Sequence, residues 1–87
     1  MKIAVWDTYV NRMDGLSMHF DILVPDHITD ENKILAYGRK YLDTKTFKTG
    51  KLTSNECKFC HIQKAPNGMI EDIEANGYSI FEMENCN

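Results

Sequence analysis

Residues 2–10, KIAVWDTYV, and 17–24, SMHFDILV, are rich in β-branched and aromatic side chains and flank Asp14-Gly15, which predicts a β-hairpin. With Asp14-Gly15 as a two-residue turn, one face carries Val5, Asp7 and Tyr9 with Phe20, Ile22 and Val24. The other carries Trp6, Thr8, Val10, His19, Asp21 and Leu23. Neither face is cleanly polar, so one is expected against helices and the other under loops or a second subunit.

Beyond Pro25, Thr29-Asp30-Glu31 offers an N-cap and negative charge at a helix start. Ile34, Leu35, Gly38, Tyr41 and Leu42 follow at three- and four-residue spacings, which predicts an amphipathic helix over 30–44. Gly38 lowers helix stability where exposed, so its expected use is close approach to the sheet. The polar run 43–52, DTKTFKTGKL, reads as a mobile loop. KFCHIQK, residues 58–64, is a short strand, and Pro66 opens a second helix through Met69, Ile70 and Ile73 to the terminator Asn76-Gly77. YSIFEME, residues 78–84, closes the chain as a strand. The β-β-α-β-α-β order predicts an α+β fold, a mixed four-stranded sheet with two helices packed on one face.

Length limits what such a fold can do. The 87 residues form one domain, 1–87, with a modest core and no deep enclosed cavity, which argues against large multi-substrate enzymes and dinucleotide-binding folds. A net charge of −3, from 10 basic and 13 acidic residues, argues against a globally basic nucleic-acid binder. No apolar run of membrane-spanning length and no signal-peptide pattern occurs, so the expected location is the cytoplasm, with no membrane partner. Cys57, Cys60 and Cys86 are an odd set, expected as thiols in a reducing compartment.

The chemistry concentrates in Cys57-Lys58-Phe59-Cys60-His61. Two thiols and an imidazole within five residues are ligand types that zinc prefers, and Cys86 and His19 extend the candidate metal set to Cys57, Cys60, His61, Cys86 and His19. On a strand Cys57 and Cys60 point to opposite faces, so a shared site needs a bend; Thr53-Ser54-Asn55-Glu56 has capping-box form and predicts a helical turn there. Other readings are a Cys57–Cys60 redox pair, covalent haem attachment at C-x-x-C-H, and plain core thiols. Haem lacks an export signal and a pocket of its size. Asp7 and Asp21 are further polar candidates as perturbed carboxylates on the hairpin, with hydrogen bonding at strand ends as their structural reading.

Two motifs fail on inspection. Asp7-Thr8-Tyr9-Val10 has Tyr9 where a phosphatase needs a second Asp, and Thr49-Gly50-Lys51-Leu52-Thr53 has Leu52 where a phosphate loop needs Ser or Thr. Charge is uneven: residues 39–64 hold seven Lys and Arg against Asp43 and Glu56, whereas residues 65–87 hold Glu71, Asp72, Glu74, Glu82 and Glu84 with no base. Such asymmetry suits a head-to-tail contact, an anionic ligand or simple solvation.

Asp7-Thr8-Tyr9-Val10, Asp14-Gly15, Met18-His19-Phe20-Asp21, Cys57, Phe59-Cys60-His61, Gly77-Tyr78 and Cys86 together make the chain resemble domain of unknown function 2024, a family of small bacterial proteins. Trp6 departs from the family's usual Tyr, and Asn85 stands where Gly commonly precedes the final Cys. The resemblance implies a compact α+β domain and carries over no activity, cofactor or catalytic residue. The expected function is therefore a small binding or interaction module for a protein or small-molecule partner, with the Cys/His cluster structural or metal-binding. A homodimer through the face bearing Trp6 and Leu23 is the candidate assembly. The rival reading is a thiol-redox or zinc-dependent enzyme using Cys57 and Cys60 with His19 or His61 as base.

Overall fold

The computed structural model describes all residues 1–87. Alternating side chains in β1 (Lys2–Asn11) and β2 (Ser17–Pro25) pair antiparallel across a loop of residues 12–16. Helix α1 (Glu31–Leu42), strand β3 (Cys57–Lys64), helix α2 (Met69–Asn76) and strand β4 (Ser79–Glu84) follow in the expected order. The strands lie in the order β3-β1-β2-β4, and every adjacent pair is antiparallel. The expected mixed sheet is therefore corrected: β2 and β3 run in the same direction, but β1 lies between them.

The hairpin register is also corrected. Val5 faces Leu23, Asp7 faces Asp21 and Tyr9 faces His19, one residue away from the two-residue-turn register. Arg12 and Leu16 close the longer loop through a backbone bond, Gly15 takes φ +94°, and the Arg12 guanidinium holds Asp14. The physical reason lies in the side chains. This register gathers Ala4, Trp6, Val10, Met18, Phe20, Ile22 and Val24 on one buried face, with Thr8 also buried among the strands. A one-residue slip would put Asp7 and Tyr9 among them. Trp6 and Leu23 consequently lie on opposite faces, both buried, so the dimer face expected to bear them together is not formed.

The helices take opposite faces of the sheet, not one. Helix α1 seats Ile34 and Leu35 on the Phe20–Ile22 face, whereas Ile73 of α2 packs with Ile3, Val5, Leu23 and Ala65 on the other. Both faces have apolar positions to cover, and a helix on each removes both from water. Asp30 caps α1 by accepting from the Asn32 amide, and Gly77, at φ +89°, ends α2 by donating to the Ile73 carbonyl. Helix α2 starts only after Gly68, three residues beyond Pro66.

Gly38 serves the expected close approach: a Cβ there would lie 2.5 Å from Leu52 Cδ2 and 2.9 Å from Ile22 Cδ1. Both neighbours are buried, so Gly38→Val is expected to lower stability by about 2 kcal/mol through overpacking, read as a lower urea midpoint. An unchanged midpoint would show that the two methyls move freely. Leu52 also anchors the segment expected as a mobile loop, whose Gly50 amide donates to Asn11 and whose Lys48 carbonyl accepts from Met13.

Asn85 adopts φ +55°, a conformation that suits Gly and that Asn tolerates better than most residues. Its Nδ2 donates to the Ser17 carbonyl, and Arg12 donates to the Asn85 and Asn87 carbonyls. The chain end is thereby fixed against the hairpin loop. No helix is long and apolar enough to cross a membrane.

Candidate metal centre on the open half of the sheet

Helix α2 has eight residues and so spans about 12 Å, against roughly 33 Å for the ten-residue β1. It covers the apolar end of its face, at Ile3, Val5 and Leu23. Asp7, Tyr9, His19 and Asp21 occupy the rest of that face by strand alternation.

Asp7, His19 and Asp21 each point one ligand atom into a shared space, all within 4.8 Å of one another. His19 Nε2 lies 3.4 Å from Asp7 Oδ1 and 3.9 Å from Asp21 Oδ1. Tyr9, directly opposite His19, stacks on its ring at a centroid distance of 4.0 Å and 13° between planes, which fixes the imidazole. Asp21 Oδ1 is buried without a hydrogen-bond partner among protein donors. Burial first, then hydrogen bonding with Asp7 and the negative charge of Asp7, pushes the Asp21 carboxyl up to about 6, against weaker pulls from His19 and His61. Asp7 moves down, chiefly through its bond with Asp21, then against desolvation through His19. Below about pH 6 a proton therefore rests on the more buried Asp21, and above it two carboxylates stand side by side.

Strand β3 brings further groups. Val5 pairs with His61 but Trp6 pairs with Phe59, leaving Cys60 as the extra residue of a β-bulge. Register places His61 and Lys58 on the Asp7 face, while Phe59 meets the Trp6 ring edge-on at 5.7 Å. The Cys60 thiol is pushed up by its small desolvation and then by the negative charges of Asp7 and Asp21. His61 Nδ1 lies 3.1 Å from Cys60 Sγ, and His61 Nε2 lies 2.5 Å from Gln63 Oε1.

The structure therefore divides the residues singled out by sequence. His19 converges with Asp7 and Asp21, Cys60 and His61 lie outside that group on the neighbouring β3, and Cys57 and Cys86 belong to the core under α1. Thr8 Oγ1 lies 3.4 Å from Cys57 Sγ, and burial pushes that thiol up. Cys86 Sγ donates toward the His19 and Glu84 carbonyls. The sheet stands between Cys57 and Cys60, so no site gathers all three thiols and no redox pair is assembled. The bend expected before Cys57 is present as a turn in which Glu56 accepts from the Thr53 amide and hydroxyl, but Cys57 itself is already in β3.

Sequence reasoning missed the meeting of Asp7 with His19 and Asp21, and the roles of Tyr9 and Gln63. Scoring the apolar residues of both strands in each register would have found the first. A depression of about 440 Å³ lies elsewhere, between the end of α1 and residues 49–53. Its Arg39 guanidinium already donates twice to the Leu52 carbonyl.

The chain is similar to protein NE1680 from Nitrosomonas europaea, whose structure was determined by NMR: identity is 42%, coverage 100% of both chains and TM-score 0.85. No curated protein matches the chain. The family described as Domain of unknown function (DUF2024) matches over residues 1–83, and the chain belongs to that family.

Proposed function

We propose that this domain is a metal-binding module that takes one divalent first-row cation on Asp7, His19 and Asp21. The observation that carries the reading is the convergence of these three ligand atoms around a buried carboxylate oxygen that no protein donor satisfies. A buried carboxylate without a partner is costly, and a cation offsets that cost. Donors bound at zinc-like distances around a tetrahedral ion sit roughly 3.3–3.5 Å apart, so separations of 3.4 and 3.9 Å require only small closure. One imidazole and two carboxylates suit zinc, manganese, cobalt or ferrous iron. The reading keeps the expected binding module and moves its centre from the thiols to the hairpin. A cytoplasmic setting fits the three free cysteines.

The test is calorimetric titration of the metal-free chain with Zn²⁺ and Mn²⁺, repeated on His19→Ala. The expected result is one ion per chain, with affinity lowered roughly 100-fold by the substitution. Absence of binding, or binding indifferent to His19, overturns the proposal.

A further inference from the structure

We infer that a second site lies on the other face of the sheet, where Trp6, Phe59 and Asp26 bind a small alkylated ammonium ion. This site shares no residue with the metal centre proposed above and does not depend on it.

The β-bulge builds the site. Phe59 and Ile62 are three residues apart, so an unbroken strand would send them to opposite faces. Cys60 is the extra residue, and the bulge sets Phe59 opposite Trp6 and Ile62 opposite Ala4, both on the face that carries α1. They are 52% and 45% exposed, large apolar side chains left uncovered beside a packed core. Together with the buried Ala4 and Trp6, and with Ile28 from the connection between β2 and α1, they line a depression of about 310 Å³.

Charge and ring geometry select the occupant. The Trp6 and Phe59 rings meet at 71° with centroids 5.7 Å apart, so the corner between them is bounded by both π-faces, which attract a cation. Asp26 is the only charged residue on the lining, and it makes no ion pair within the chain. Asp30 and Glu31 follow at the start of α1, also outside any ion pair, so this end of the depression is negative. Lys2 and Lys64 face each other two residues beyond Ala4 and Ile62 and do not line it. An anion would meet Asp26 with no compensating base. Alkyl groups on the nitrogen spread its charge over an apolar surface that fits Ile28 and Ile62 and is cheaper to desolvate than a bare ammonium.

Trp6 is the only tryptophan, so its fluorescence reports on the site directly. The full chain is titrated with choline, with its uncharged carbon isostere 3,3-dimethylbutan-1-ol, and with butyrate, at constant ionic strength. Choline is expected to change the emission saturably, with a millimolar Kd, and to bind about 10-fold more tightly than the isostere. Asp26→Asn removes the carboxylate charge at an exposed position, and Phe59→Leu keeps an apolar side chain but removes a π-face. Each is expected to weaken choline binding about 3–10-fold. Equal binding of the isostere would show an apolar depression indifferent to charge and overturn the inference. Tighter binding of butyrate, a choline affinity unmoved by either substitution, or no saturable change in emission would overturn it equally. Titration with Zn²⁺ reads the opposite face, so either site can fail its test while the other stands.

Discussion

Replacing Asp21 with Asn is expected to abolish divalent-cation binding and, at neutral pH, to make the metal-free domain more stable. Both effects come from one carboxyl whose Oδ1 is buried and unsatisfied by any protein donor. Its folded-state value is raised from 3.8 to about 6, first by burial and then by Asp7. The folded state therefore prefers the protonated form. Stability from that proton is complete below the unfolded value near 4 and is lost as pH rises through about 6. An Asn amide donates to Asp7 at every pH and carries no charge to desolvate. The variant should match wild type near pH 4 and exceed it at pH 7.5 by about 1 kcal/mol or more, roughly 4–8 °C in thermal midpoint. Thermal melts at the two pH values check this. A variant that melts lower than wild type at pH 7.5 would show that the carboxylate is satisfied in some other way.

A residue that weakens the free fold while completing a ligand set is the pattern expected of a binding site, where local stability is given up for function. The same logic explains how much of the molecule was legible in its sequence. Elements followed from periodicity and punctuation: Asp30 capped α1, Gly77 ended α2, and Gly38 marked the contact of α1 with the sheet. Topology was less legible, because strand adjacency and the face chosen by each helix depend on contacts distant in sequence. The site was lost to one residue of register. Asp14-Gly15 has the composition of a two-residue turn, but burying Trp6, Val10, Phe20 and Ile22 together outweighed that local preference and imposed a longer loop. The slip moved Asp7 from the face opposite His19 to the same one. The bulge at Cys60 was equally hidden, since nothing in C-K-F-C-H states that two neighbours will escape alternation.

Phe20→Ala is expected to be the most damaging single change, and its effect should reach the proposed metal centre from the far side of the sheet. Phe20 is fully buried, lies between His19 and Asp21 in sequence, and packs on Tyr41 at a centroid distance of 4.7 Å. Truncation of such a side chain costs about 3–5 kcal/mol. A chain of 87 residues has roughly 4–13 kcal/mol of total stability, so the loss removes a large share of it. Phe20 also decides which way β2 faces: its burial under α1 is what turns His19 and Asp21 toward the open half of the sheet. A loosened β2 holds those two ligands less firmly, so Zn²⁺ affinity should fall together with the urea midpoint, although Phe20 touches neither ligand's side of the sheet. Because the ion binds the folded form, a hundredfold excess of Zn²⁺ over its dissociation constant should return about 2.7 kcal/mol to the variant and so recover much of the lost midpoint. Recovery by zinc that is absent when Asp21→Asn is combined with Phe20→Ala would tie the rescue to this centre. Equal recovery in the double variant would place the stabilising ion elsewhere on the chain.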